Sequence, residues 1–286
     1  MNPDLEKLKV SRSSHPLHAA PPSTRRVRVR DVVVGDGSPV VIAGPCTVES
    51  REQTVGIARA VKAAGARMLR GGAFKPRTSP YSFQGMGKEG LEILAEARAE
   101  TGLPVVTEVL DPRLVGLVGS YADVIQIGSR SMQNFPLLTE VGRLGKPVLL
   151  KRGFGATVEE WVYAAEYVAL GGCLDILMCE RGIRSFTNGA YDRATLDLAA
   201  VHAVRQLVPF PVVVDPTHAA GRAALVPDLA FAALGLGVDA LLIEAVLPGT
   251  DPKKVLCDGE QGITPDVLRS IVERARATAP LETAAR

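Results

Sequence analysis

The chain has 286 residues, 47% apolar and 22% charged, a length and composition that suit one large or two small globular domains. A formal net charge of +2 excludes a protein that binds nucleic acid or a membrane surface through bulk charge. Four cysteines (Cys46, Cys173, Cys179 and Cys257), with no zinc-ribbon spacing, exclude a disulfide framework and point to a reducing cytoplasm.

Residues 1–24 are polar and rich in Pro, Ser and Ala, and they read as a flexible arm without the apolar core of a signal peptide. Residues 25–39 alternate and then reach Gly35–Asp36–Gly37, which predicts an N-terminal β-hairpin turning at the glycines. From Val40 to about residue 280 one pattern recurs. Short β-branched runs occur at 40–44, 67–72, 104–110, 123–128, 147–153, 174–182, 211–218 and 240–246. Helical stretches such as 51–64, 88–100, 157–170, 194–207 and 264–277 lie between them. Eight apolar strands, each followed by a helix, predict a parallel sheet covered on its outside. Closing that sheet gives an α/β fold, a (β/α)8 TIM barrel, over residues 40–280. An open doubly wound sheet is disfavoured, because no Gly-x-Gly-x-x-Gly follows the first strand. The apolar stretch 229–247 is broken by Asp239 and Glu244, so no membrane span is expected.

Barrel chemistry sits at the C-terminal ends of the strands, and the unusual polar residues fall there. Cys46 follows strand 1, and "RGGAFKPRTSPYSFQGMG" (70–87) follows strand 2 with Arg70, Lys75 and Arg77 and no acid. Thr107, Glu108 and Asp111 end strand 3, Arg130 follows strand 4, and Lys151 and Arg152 end strand 5. Glu180, Arg181 and Arg184 follow strand 6, Asp215 and His218 strand 7, and Glu244 strand 8, with Asp258 in the loop beyond. Cys46, His218, Glu244 and Asp258 are ligand types on strands that become neighbours on closure, a mixed site for a divalent ion such as Mn, Fe, Co or Zn. Arg70, Lys75, Arg77, Arg130, Lys151 and Arg181 form a second group, expected on the opposite side of the mouth. That many cations need anions, and two phosphorylated small molecules fit better than one phosphate.

The segments "GPCTVES", "RGGAFKPRTSPYSFQG", "TEVLD", "QIGSRSMQNFPLL", "LLKRG", "CERGIRSF", "DPTHAAG" and "DGEQGITP" together resemble DAHP synthase of the single-barrel, type I beta kind, in family order from about Val27 to about Ala275. The resemblance implies condensation of phosphoenolpyruvate with erythrose 4-phosphate to 3-deoxy-D-arabino-heptulosonate 7-phosphate, the first step toward chorismate and aromatic amino acids. It implies Cys46, His218, Glu244 and Asp258 as ligands of a Mn, Co, Fe or Zn ion. Arg70, Lys75, Arg130, Lys151 and Arg181 would hold phosphoenolpyruvate, and Lys75, Pro76, Arg77 and Thr78 the aldose phosphate. Lys75 would touch both substrates, and Glu108 and Lys75 are the candidates for moving protons. The sister octulosonate 8-phosphate synthases carry a loop closer to Lys-Ala-Asn-Arg-Ser, so "KPRTS" favours the heptulosonate side.

Two departures stand out. Val246 occupies the place where the family pattern has a histidine after the strand 8 glutamate, and the loop from Glu244 to Asp258 is longer. A shifted aldose choice is therefore an alternative, as is a non-catalytic scaffold or regulatory barrel. No regulatory or mutase domain is expected within the chain. A homo-oligomer, dimer or tetramer, and a separate chorismate mutase are the macromolecular partners considered. Other residues have plainer readings. Cys173, Cys179 and Trp161 suit core packing, His202 a helix, and His15 and His18 the arm. Asp215 suits the turn before Pro216, and Arg152 and Arg184 suit the surface or support of a neighbour.

Overall fold

The structure, a computed structural model, describes residues 24–186, 189 and 192–278. The arm, apart from Thr24, lies outside the described residues, and so do His15 and His18. Strands β1 (Val27–Val29) and β2 (Val32–Val34) pair antiparallel, with Val29 opposite Val32. The hairpin therefore turns at Arg30–Asp31 and not at Gly35–Gly37. The reason lies in the valines: with Arg30 in the left-handed region (φ 53°), Val27, Val29, Val32 and Val34 all bury on one face. A turn at the glycines would shift the register and lose that face. Gly35 and Gly37 instead lead into the barrel.

Eight parallel strands form a closed barrel: β3 (Val40–Gly44), β4 (Met68–Arg70), β5 (Val105–Glu108), β6 (Val124–Ile127), β7 (Val148–Lys151), β8 (Ile176–Glu180), β9 (Val212–Val214) and β10 (Ala240–Glu244). They neighbour one another in sequence order, and β10 closes on β3, placing Glu244 beside Gly44. Each lies within one of the eight β-branched runs.

The core has two layers. Inside the barrel, Ile42, Met68, Val106, Val124, Leu149, Leu177, Val213 and Leu242 pack with the four hairpin valines, so the hairpin plugs the end where the strands begin. Arg30 fixes the plug through Asp123 (2.6 Å), just before β6. The outer layer lies between strands and helices and includes Trp161, whose indole N–H donates to the Leu150 carbonyl (3.1 Å).

The helices are α1 (Arg51–Ala63), α2 (Lys88–Thr101), α3 (Val115–Tyr121), α4 (Phe135–Leu144), α5 (Val158–Leu170), α6 (Leu198–Leu207), α7 (Pro216–Ala220), α8 (Val226–Gly235) and α9 (Pro265–Thr278). Local chemistry starts several of them. Ser50 caps α1, and Thr157 with Glu160 forms a reciprocal capping box on α5. Helix α7 begins inside the predicted 211–218 strand, because Asp215 accepts from the His218 N–H and Pro216 suits the first turn. His218 is thus on a short helix above the barrel. Among the described residues no helix is long and apolar enough to cross a membrane.

Candidate active site

The sequence Gly44-Pro45-Cys46 brings the first ligand candidate inward. A Cβ on Gly44 would lie 2.0 Å from the Arg70 carbonyl oxygen, so only glycine lets β3 run this close to β4. Cys46 is then buried beside the ends of β4 and β10. One donor atom each from Cys46, His218, Glu244 and Asp258 lies within 4.8 Å of the other three. His218 Nε2 is 3.2 Å from Glu244 Oε1, and Cys46 Sγ is 3.5 Å from both Asp258 Oδ2 and Cys257 Sγ.

A line of charges supports this cluster. Lys151 Nζ donates to Asp215 Oδ2 (2.7 Å), which also meets His218 Nδ1 (2.7 Å). Burial opposes ionisation of Asp215, but His218 and Lys151 hold its carboxyl well below the usual range. Burial, with Lys151 adding to it, lowers His218 to about 4 despite its acidic neighbours. The imidazole is therefore neutral near pH 7, with Nδ1 donating to Asp215 and the Nε2 lone pair facing the cluster. That lone pair points at a carboxylate oxygen, a contact between two acceptors that a shared cation would relieve. Burial works against the Glu244 charge too, but His218, Arg70 and Lys75 hold it at about 2.

Two of the cations, Arg70 and Lys75, do not stand on the opposite side of the mouth but reach into the ligand cluster. Arg70 donates from Nη1 to Glu244 Oε1 (2.6 Å) and from Nη2 to the Cys46 carbonyl (3.0 Å). Lys75 Nζ donates to Cys46 Sγ (2.8 Å). Strand β4 adjoins β3, so long side chains at its end reach straight into the ligand set. Burial pushes the Cys46 thiol well up, with the Cys257 contact and the Glu244 charge adding to it; Lys75 and Arg70 only partly oppose this.

Above the cluster lies a cavity of about 300 Å³. Lys75, Pro76, Arg77 and Thr78 form one wall, and Arg130, Lys151, Phe154 and Arg181 another. Glu108, His218 and Asp258 also face it. Glu108 Oε2 accepts from Gln126 (3.0 Å), while its buried Oε1 has no hydrogen-bond partner among the described residues. Arg130, Arg181 and Arg184 stack on the Phe154 ring at 5.2, 4.8 and 4.9 Å. Arg152 lies outside the cavity, buried against Glu180 (3.1 Å) and Asp197 (2.8 Å), where it ties the loops after β7 and β8 together. Cys173 is buried at the outer layer, Cys179 is buried in the barrel interior opposite Lys151 in the strand register, and His202 is exposed on α6.

Sequence reasoning passed over four residues here. Asp215 suits a turn by its place before Pro216, yet its i,i+3 spacing to His218 is also the signal of an oriented imidazole. Gln261 lies in the "DGEQG" segment and donates to Glu244 Oε2 (2.5 Å). Phe154 and Arg193 carry no local signal; Arg193 pairs with Asp258 Oδ1 (3.0 Å). Val246 also differs from expectation. It packs over Gly262 and lines a separate hollow of about 10 Å³ behind the ligands. The lengthened loop reaches the cavity through Cys257 and Asp258, and its Leu256 carbonyl accepts from Arg77 (3.4 Å).

Comparison with known proteins gives concordant matches. A family model described as the DAHP synthetase I family matches residues 9–279. Phospho-2-dehydro-3-deoxyheptonate aldolase of Thermotoga maritima is 44% identical over 270 residues, covering 94% of this chain and 77% of the relative. Its crystal structure superimposes with a TM-score of 0.85 at 43% identity, covering 94% of this chain and 75% of that one. A truncated form of the Thermotoga maritima synthase gives 0.83 at 40% identity and covers 96% of both chains. A 2-dehydro-3-deoxyphosphooctonate aldolase of Desulfatibacillum aliphaticivorans is 35% identical over 263 residues, covering 85% of this chain and 93% of the relative.

Proposed function

Because the chain belongs to the DAHP synthetase I family, we propose that it condenses phosphoenolpyruvate with erythrose 4-phosphate, releasing 3-deoxy-D-arabino-heptulosonate 7-phosphate and phosphate. The observation that carries this reading is one cavity bordered by both a metal-type donor set and a cation set. The donor set fits a divalent ion. It holds a thiol, two carboxylates and a neutral imidazole within 4.8 Å, and its imidazole and carboxylate acceptors meet face to face. Cys46, His218, Glu244 and Asp258 would hold a Mn, Co, Fe or Zn ion, which would supply Lewis-acid polarisation of the aldehyde.

The chain's own residues do the rest. Arg130, Lys151 and Arg181, with Arg70 and Lys75, hold the phosphate and carboxylate of phosphoenolpyruvate, and Phe154 keeps Arg130 and Arg181 facing one anion. Lys75 to Thr78 hold the aldose phosphate across the cavity, so both reactants are oriented before reaction. C3 of phosphoenolpyruvate then forms a bond to the aldehyde carbon, water adds at C2, and phosphate leaves with the electron pair of its bond to C2 and the proton of the C2 hydroxyl, which becomes the ketone. Glu108, with an uncommitted buried oxygen, accepts a proton from that water, and Lys75 supplies one to the new hydroxyl. The partners are small phosphorylated molecules in the cytoplasm, the chain itself as dimer or tetramer, and a separate chorismate mutase.

The test is phosphoenolpyruvate consumption with a panel of four- and five-carbon aldose phosphates and added Mn. Fastest turnover of erythrose 4-phosphate is expected. Preference for a five-carbon aldose phosphate would move the chain to the octulosonate side, and no consumption with any aldose would favour a non-catalytic barrel.

A further inference from the structure

Arg193 belongs to neither group that the reaction requires, yet it reaches the ligand cluster twice. Its Nη1 pairs with Asp258 Oδ1 at 3.0 Å and donates to Gln261 Oε1 at 2.9 Å. Gln261, itself buried, donates from Nε2 to Glu244 Oε2 at 2.5 Å. One guanidinium nitrogen therefore holds one carboxylate directly and the other through a single amide.

The oxygens involved are the informative part. Asp258 gives Oδ1 to Arg193 and turns Oδ2 toward Cys46 Sγ (3.5 Å). Glu244 gives Oε2 to Gln261 and turns Oε1 toward His218 Nε2 (3.2 Å). Each carboxylate is thus gripped by one oxygen and presents the other to the centre of the donor set. Asp258 has particular need of the grip, since its backbone sits in the left-handed region (φ 54°) on the long loop after β10. Arg193 comes from the segment between β8 and α6, so the tie spans two loops of the barrel mouth. Arg193 and Asp258 also line both the main cavity and a second hollow of about 430 Å³, so their ion pair is part of the wall between the two.

We propose that Arg193, relayed by Gln261, is a positioning residue that orients both carboxylates of the metal cluster and sets how tightly and how long the ion is held. This rests on the metal reading given above. Two effects compete. A cation beside a dication weakens binding on Coulomb grounds alone. Fixing both carboxylates in advance strengthens it, and partners of ligating groups are worth about 10–100-fold in affinity. The Arg193 side chain is 36% exposed, so solvent screens its charge, whereas its bonds still fix the ligand geometry. Orientation wins.

The test is Co(II) titration of the metal-free full chain, read by visible absorption, with release into excess chelator followed by stopped flow. Wild type should bind one equivalent. Arg193→Met should raise Kd about 10–100-fold, speed release and alter the absorption spectrum, with the metal-free melting temperature unchanged. Arg193→Lys, whose ammonium can also bridge two acceptors, should recover most of the affinity and the wild-type spectrum. Gln261→Met should weaken binding in the same direction, and with Arg193→Lys it carries the test if Arg193→Met does not fold. An unchanged or tighter Kd in Arg193→Met overturns the proposal and leaves Arg193 as a counter-charge. Failure of wild type to take up Co(II) overturns the metal reading and this proposal with it.

Discussion

Arg77 is half-buried on the cavity wall, and its one protein hydrogen bond among the described residues is the long contact to Leu256, so its guanidinium is free for an anion. Arg77→Ala should remove one charge-assisted contact of about 2 kcal/mol, raising KM for the aldose phosphate roughly 30-fold with little change for phosphoenolpyruvate. Equal effects in steady-state assays on both substrates would contradict that division of the cavity. At the cluster, Cys46 and Cys257 stand with their sulfurs 3.5 Å apart. Cys46→Ser should abolish metal uptake and activity, because a hydroxyl is a poorer ligand than a thiolate. Cys257→Ser should keep activity and protect metal-free enzyme from inactivation in air. Non-reducing peptide mapping of the air-treated metal-free enzyme checks the pairing, with a 46–257 crosslink expected. His218 links the cluster to pH. Its folded value of about 4 lies below its ordinary 6.5, so between those limits the unfolded chain binds the extra proton. Metal-free protein should therefore lose stability as pH falls through that window. Urea unfolding at pH 7 and pH 5 should show a smaller difference in His218→Gln than in wild type.

The elements differ in how much of their placement is local. Strands β3 to β10 follow from β-branched runs, and α1 and α5 from capping residues that act within one turn. Helix α7 follows from Asp215-Pro216 overriding the β-branched run before it, a competition that periodicity alone does not settle. The hairpin turn departs from the glycine signal for a similar reason. Two glycines mark the easiest turn, but burying four valines against the barrel floor outweighs the strain of Arg30 at positive φ. The α4–α5 contact depends on an absent side chain. A Cβ on Gly142 would lie 2.3 Å from the Val168 carbonyl oxygen and 2.9 Å from the Gly171 Cα. Gly142→Ala should cost about 1–3 kcal/mol despite alanine's better helix propensity, since backbone atoms cannot rotate away. Gly116→Ala in α3, with nothing within 4 Å of the added Cβ, should be neutral or stabilising by up to about 1 kcal/mol. Urea unfolding of the two variants checks the contrast.

Across the whole molecule, the barrel and its site separate energetically. The ring of eight strands and both core layers close without the ligand cluster, which sits at one end. Chelation should therefore leave the far-ultraviolet circular dichroism intact. An ion at 100 times its Kd should add about 2.7 kcal/mol to stability in wild type and none in Cys46→Ser, measured as a shift in Tm. The sequence by itself determined the barrel, because alternating buried runs and helices admit few topologies. It also determined which strand ends carry thiol, imidazole, carboxylate and cationic groups, since those residue types sit directly after the runs. The tertiary structure alone decided how these groups meet. Arg70 and Glu244 are 174 residues apart and Cys46 and Cys257 211 apart, yet each pair is in contact. Asp215 as the orienter of His218, and Arg193 with Gln261 behind the carboxylates, likewise emerged only from the closed barrel. Propensity and periodicity act over a few residues, whereas these contacts exist only once β10 has closed on β3 and the loops share one mouth.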